Sequence, residues 1–168
     1  GDDAVITNSG TVNSARYAIY NNGEDVIINN SGTLAGDLRL GNSTLNILGG
    51  SITGIIVGND AARIEVGSGV TYTQENDFED ISTLTVNANA AFNVNSVIEA
   101  QTIFVANDGN LNLNSGADLT VTTIRGLTNG VGNVNLSAIG FSGDLGVSGS
   151  ALENINIASN ASFIAAGD

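Results

Sequence analysis

The chain has 168 residues, 42% of them hydrophobic, which is enough to fill the core of one domain. Its 17 acidic residues face only four arginines and no lysine, and the resulting net charge of -13 excludes nucleic acid and anionic lipid as partners. The absence of His, Cys and Lys also removes Ser-His-Asp and Cys-His catalysis, Schiff bases, zinc centres and P-loop phosphate binding.

The hydrophobes are mainly Val, Ile and Leu, with five Phe, three Tyr and no Trp or Met. Small, mostly branched side chains favour strands over helices. With 22 Gly and no Pro, turns must be built from Gly, Asn, Asp and Ser. No run approaches the roughly 20 apolar residues of a membrane span, so no direct membrane insertion is expected of this segment. A chain that opens Gly1-Asp2-Asp3 and lacks Met reads as a processed or excised part of a longer protein, with residues 1–168 forming a single domain.

The first element, Ile6-Thr7-Asn8-Ser9-Gly10-Thr11-Val12, recurs 22 residues later as Ile28-Asn29-Asn30-Ser31-Gly32-Thr33-Leu34. The theme continues at Ile47-Leu48-Gly49-Gly50-Ser51-Ile52, Val66-Gly67-Ser68-Gly69-Val70 and Val86-Asn87-Ala88-Asn89-Ala90-Ala91-Phe92. It returns at Val105-Ala106-Asn107-Asp108-Gly109-Asn110-Leu111 and at Ile157-Ala158-Ser159-Asn160-Ala161-Ser162-Phe163. From Ile28 to Val105 the anchors lie 19 or 20 residues apart, the period of a solenoid coil. Each anchor closes an alternating pair: Val26/Ile28, Leu45/Ile47, Ile64/Val66, Leu84/Val86, Ile103/Val105, Val134/Leu136 and Ile155/Ile157. Such alternation marks a strand with one buried face. The expected fold is all-β, a single-stranded parallel β-helix of about eight coils, with Ile28, Ile47, Val66 and Val86 in one column.

Asn8 and Asn30 lie two residues beyond an inward Ile, so both should point inward at a corner and satisfy one another as a ladder. Gly10, Gly32, Gly50, Gly69 and Gly109 read as backbone positions with crowded or left-handed geometry. Two segments break the rhythm. Thr73 to Asp80 carries four acidic residues and reads as a protruding loop, in which Glu75, Asp77, Phe78, Glu79 and Asp80 are candidate partner contacts. Between Val105 and Val134 the spacing opens to 29 residues, room for one long coil or two short ones.

Carboxylates alone can hydrolyse glycosides, and Asp77, Glu79 and Asp80 are the candidates for that chemistry. An exposed run of like charge without aromatic platforms is more simply a solvated loop, so no catalytic residue is assigned and the chain is not expected to be an enzyme. Neither a repeat-in-toxin nonapeptide nor an EF-hand loop occurs, so no cofactor or defined metal site is expected, and only weak calcium binding is compatible with the scattered acids. Arg16, Arg39 and Arg63, 23 and 24 residues apart, are a candidate basic column for an acidic glycan. The Thr pairs Thr71/Thr73, Thr83/Thr85 and Thr120/Thr122 do not recur in consecutive register.

The Ile-x-Asn-x-Gly-x-Val/Leu coils with Asn-Ser-Gly-Thr turns resemble the passenger domains of bacterial autotransporters and filamentous-haemagglutinin-type secreted proteins, most closely over residues 4 to 112. That resemblance implies a right-handed β-helix displayed at, or released from, the bacterial outer membrane. It also implies a non-catalytic adhesin whose faces and loops contact a host receptor, a glycan or neighbouring copies of the protein. An alternative is a structural subunit that assembles end to end or side by side, because Ile6 and Phe163-Ile164 place apolar coils at both ends. A polysaccharide-active enzyme is a further alternative.

Overall fold

The computed structural model describes residues 4–22, 25–137 and 140–165. Among them every regular element is a strand: β1 (Ala4–Asn8), β2 (Thr11–Tyr20), β3 (Val26–Asn30), β4 (Thr33–Arg39), β5 (Thr44–Ile47), β6 (Ser51–Ile52), β7 (Ile56–Val66), β8 (Thr71–Gln74) and β9 (Phe78–Val86). They continue as β10 (Ala91–Val94), β11 (Val97–Val105), β12 (Asn110–Leu113), β13 (Asp118–Gly126), β14 (Asn133–Leu136), β15 (Gly140–Leu145), β16 (Asn154–Ile157) and β17 (Ser162–Ala165).

All pairings between these strands are parallel, and each joins one coil to the next. Odd-numbered strands from β1 to β17 follow one another across a large sheet, and β8, β10, β12, β14 and β16 form a second sheet. The molecule is a β-solenoid of about eight coils. Parallel strands cannot be joined by tight hairpins, so the chain closes each coil by travelling around the other faces, which short Asn/Gly/Ser corners permit.

Alternation sends one set of side chains inward on every face. On the large sheet one inward column runs Ile6, Ile28, Leu45, Ile64, Leu84, Ile103, Ile124 and Leu145. A parallel column runs Asn8, Asn30, Ile47, Val66, Val86, Val105 and Gly126. The second sheet supplies Tyr72, Phe92, Leu111 and Val134, and beside them Gln74, Val94, Leu113 and Leu136. A further stretch stacks Leu38, Ile56, Phe78 and Ile98. The buried apolar residues among these form one continuous core, in which Phe78 and Phe92, stacked at 6.0 Å, are the largest fully buried side chains.

The columns correct the sequence reading at its first step. Ile28 lies over Leu45, whereas Ile47 lies over Asn30 and begins the run Ile47, Val66, Val86, Val105. The coil between these strands is short, with Asn29 and Asn46 bonded across 17 residues, and the corner after Ile47 is correspondingly longer. Leu34 and Ile52 therefore realign beyond the corner. A two-residue displacement preserves which side chains face inward, so the core tolerates it.

The interval from Val105 to Val134 is also resolved. Val105 pairs with Gly126 on the large sheet, whereas Val134 pairs with Leu111 on the second. The 29-residue count compared positions on two different faces, and a single coil fills the interval. Val134/Leu136 and Ile155/Ile157 accordingly belong to the second sheet and not to the column of Val86.

Candidate functional site

The expected protruding loop at Thr73 to Asp80 is instead a three-residue corner. Thr73 and Gln74 end β8, Glu75 to Asp77 turn the chain, and Phe78 to Asp80 open β9. Phe78 is buried under Phe92, so it is not available to a partner. Buried Gln74 seals the corner: its Nε2 donates to the carbonyls of Asn76 (2.6 Å) and Val97 (3.0 Å), and its Oε1 accepts from the amides of Asn95 and Ser96. Asp77 Oδ1 accepts from Ser96 Oγ and from the Val97 amide, and Glu75 accepts from Asn95 Nδ2 at 2.8 Å. The density of acids mimicked a loop because these carboxylates occupy outward and corner positions of an ordinary coil.

Glu79, Asp80, Glu99 and Asp60 gather along the next corner, where Asp60 and Asp80 adopt left-handed backbone (φ 63° and 54°). An open groove of about 420 Å³ runs past Asp60, Asp80, Glu99, Gln101 and Thr122. Partial burial, and then the nearby carboxylates of Glu99, Asp77 and Asp80, raise the Glu79 carboxyl above its usual range. Among the described residues no three acidic groups are disposed to hold a metal ion.

The expected basic column does not form. Arg39 on β4 stands in register with Tyr20 and Val57, whereas Arg63 on β7 stands between Thr44 and Thr83. Their spacing resembles a coil period, but the local coils are shorter, and Val57 occupies the place beside Arg39. Arg16 lies where the pairing of β2 with β4 is interrupted, and its guanidinium carbon is 4.7 Å from the centroid of the Tyr17 ring.

Asn8 and Asn30 do meet at the first corner. Asn8 Nδ2 donates to Asn30 Oδ1 (2.8 Å) and to the Thr33 carbonyl (3.2 Å), its Oδ1 accepts from the Gly10 amide, and Asn30 Nδ2 donates to the Gly32 carbonyl. Beneath them the turns stack backbone on backbone, and a Cβ placed on Gly32 would lie 2.1 Å from the Gly10 carbonyl oxygen.

A more extensive asparagine array lies outside, on the second sheet, and the reading of the sequence missed it. Asn112 Nδ2 donates to Asn93 Oδ1 (2.8 Å), Asn135 to Asn112 (2.7 Å) and Asn156 to Asn135 (2.7 Å), while Asn93 reaches Thr73 Oγ1 at 3.3 Å. A second row on the same face joins Asn154 to Asn133 at 2.7 Å, and at the adjoining corner Asn114 donates to Asn95. The strands Asn110-Leu-Asn-Leu, Asn133-Val-Asn-Leu and Asn154-Ile-Asn-Ile carry this pattern openly. Each amide is held by its neighbours one coil away, spaced at about 4.8 Å as adjacent strands dictate. On a chain of net charge -13, the outward positions of these five strands carry Thr, Ala and Asn and no charge at all.

Comparison of the chain with protein-family models, with curated proteins and with solved structures returns no match.

Proposed function

We propose that this chain is a non-catalytic segment of a secreted or surface-displayed bacterial adhesin, and that the asparagine-lined face of β8, β10, β12, β14 and β16 is its contact surface for an uncharged, hydroxyl-rich polymer. The observation that carries this reading is the ladder Asn93-Asn112-Asn135-Asn156. Amides already held in register lose little conformational entropy on binding, and each retains hydrogen-bonding capacity towards a hydroxyl. A charge-free strip on a strongly acidic rod also favours a neutral partner, because an anionic one is repelled by the surrounding carboxylates. The Asn-Ser-Gly-Thr turn style, similar to that of autotransporter passengers, supports display outside the cell.

The test is binding of the full chain to an array of neutral and charged polysaccharides, alongside Asn112→Thr/Asn135→Thr. Thr preserves strand preference while removing the amides. Neutral glycans retained by the wild type and lost by the variant support the proposal; no retention of any neutral glycan, or equal retention by both, overturns it.

A second reading, assembly of copies end to end, is favoured by one observation. Ile155 and Ile157 are 43% and 47% exposed, although Val134 and Leu136 directly beneath them are buried. A further coil, of this chain or another copy, would cover them. Light scattering over a range of concentrations tests the second source, since only assembling copies grow into rods.

A further inference from the structure

The molecule has four arginines and three tyrosines, and two of each converge on its first coils. Arg16 lies over the Tyr17 ring at 4.7 Å, and the Tyr17 and Tyr20 rings are 5.1 Å apart with their planes inclined at 56°. Tyr20 is in register with Arg39 of the next coil, and both point away from the core, since their neighbours Ile19 and Leu38 point into it. Tyr20 is 54% exposed, whereas Tyr72, Phe78, Phe92 and Phe141 are buried. Arg39 also lines a shallow groove of about 200 Å³ with Asn22 and Asn59.

We infer that Arg16, Tyr17, Tyr20 and Arg39 form a binding site for an acidic saccharide, a pyranose carrying a carboxylate. Two inclined aromatic rings offer apolar faces to the C–H side of a sugar ring. A guanidinium resting on an aromatic face is already desolvated on that side and oriented, and its planar fork suits a bidentate carboxylate. One carboxylate adjoins the rings, Asp37 in register with Tyr17, and it already accepts from the Ile55 amide; the two arginines outweigh it and make this cluster less repulsive to an anion than the rest of the surface. Another arginine–aromatic pair, Arg125 over Phe104 at 4.7 Å, has no second ring or cation in contact with it among the described residues. An exposed aromatic pair favours a ligand with an apolar face as well as a charge, which a carboxylated sugar has and a bare anion lacks. This site goes beyond the amide-face proposal: it lies on other strands and takes a charged ligand, so either can fail alone.

The chain has no Trp and Tyr72 is buried away from the site, so the change in tyrosine emission on binding reports on Tyr17 and Tyr20. Trigalacturonate is titrated into the full chain and followed by that emission and by calorimetry. Its methyl ester, an aspartate-rich peptide and inorganic phosphate serve as the other arms. Saturable binding of trigalacturonate is expected, weakened about tenfold or more in the methyl ester and in Arg39→Gln, and weakened by added salt. Tyr20→Leu, which retains apolar area, should weaken it similarly with an unchanged circular dichroism spectrum. Binding unaffected by Arg16→Gln and Arg39→Gln together, or no binding of trigalacturonate at millimolar concentration, overturns the site. Peptide or phosphate binding as tight as the saccharide overturns the ligand class.

Discussion

Asn135 donates its side-chain Nδ2 to Oδ1 of Asn112 at 2.7 Å, across 23 residues of chain and one coil of the solenoid. Both residues are in register on adjacent strands β12 and β14, so the bond follows from the stacking and does not require either side chain to search for a partner. Asn112 in turn donates to Asn93, so each interior amide of the row both gives and receives.

Half-buried bonds of this kind add little individually, because water still competes for both groups. Asn135→Ala should therefore lower stability by about 0.5–1 kcal/mol, at the low end for a hydrogen bond. A double-mutant cycle with Asn112→Ala, read from urea midpoints, should give a coupling energy of a few tenths of a kcal/mol or more. A loss of several kcal/mol would mean that the array is a structural clamp and not a preorganised surface.

The corner glycines divide sharply. A Cβ on Gly50 would lie 1.9 Å from the Gly32 carbonyl oxygen, and its φ is +70°, whereas a Cβ on Gly10 would meet nothing within 4 Å. Gly50→Ala must either separate two coils or distort the turn, so a loss of about 2–4 kcal/mol is expected, against less than about 0.5 for Gly10→Ala. Thermal unfolding of the two variants checks the contrast, and equal melting temperatures would refute close coil stacking at this corner.

Glu79 gives the molecule a pH dependence of definite sign. Its folded carboxyl is raised above the ordinary value of 4.5, so within that window the folded protein holds a proton that the unfolded chain has released. The contribution of Glu79 to stability therefore improves as pH falls through its raised value, and is unfavourable at neutral pH. Glu79→Gln should be more stable than the wild type at pH 7, with the gap closing as the pH is lowered below 4.5; added salt narrows it only in part, because it screens the neighbouring carboxylates and not the larger effect of burial. Tyr72 works in the alkaline range: burial pushes it up to about 12, so stability should fall as pH rises from 10 towards 12. Difference denaturation curves across pH measure the first effect, and phenolate absorbance the second.

Parallel coiling was legible because alternation and a near-constant period are both local properties of the sequence. Register was harder to read. Ile28 and Ile47 look equivalent because each precedes a small-residue turn, yet Asn30 holds the inward place that Ile47 takes a coil later. Gly126, stacked beside Val105, offers no side chain to reveal the next coil. Phe78 reads as part of a loop because acids surround it, although it occupies the inward position of Ile56 and Ile98. The outer asparagines stand in the repeated Asn-x-Asn strands, but the outward half of an alternating strand carries no hydrophobic signal of its own. The meeting of Arg39 with Tyr20 depends on pairing of β2 with β4 across shifts in register, which no spacing rule contains.

The buried pair Asn8 and Asn30 makes the last prediction. Asn30 is fully buried, and its amide is satisfied by Asn8 and by the Gly32 carbonyl. Asn30→Ala leaves Asn8 Nδ2 with the Thr33 carbonyl alone and opens space at the corner, so a loss of about 1–3 kcal/mol is expected. Removing both amides together leaves no orphan from their mutual bond, so Asn8→Ala/Asn30→Ala should lose clearly less than the sum of the single variants. Asn30→Val goes further, since the same column continues as Ile47 and Val66, and a branched apolar side chain extends the core by one coil. In the Asn8→Val background it should recover most of the lost stability, because neither partner then needs satisfying. Urea denaturation of the wild type and these variants measures this. Strict additivity of the single effects would show that the two amides are satisfied by their own turns, and that the bond between coils contributes nothing.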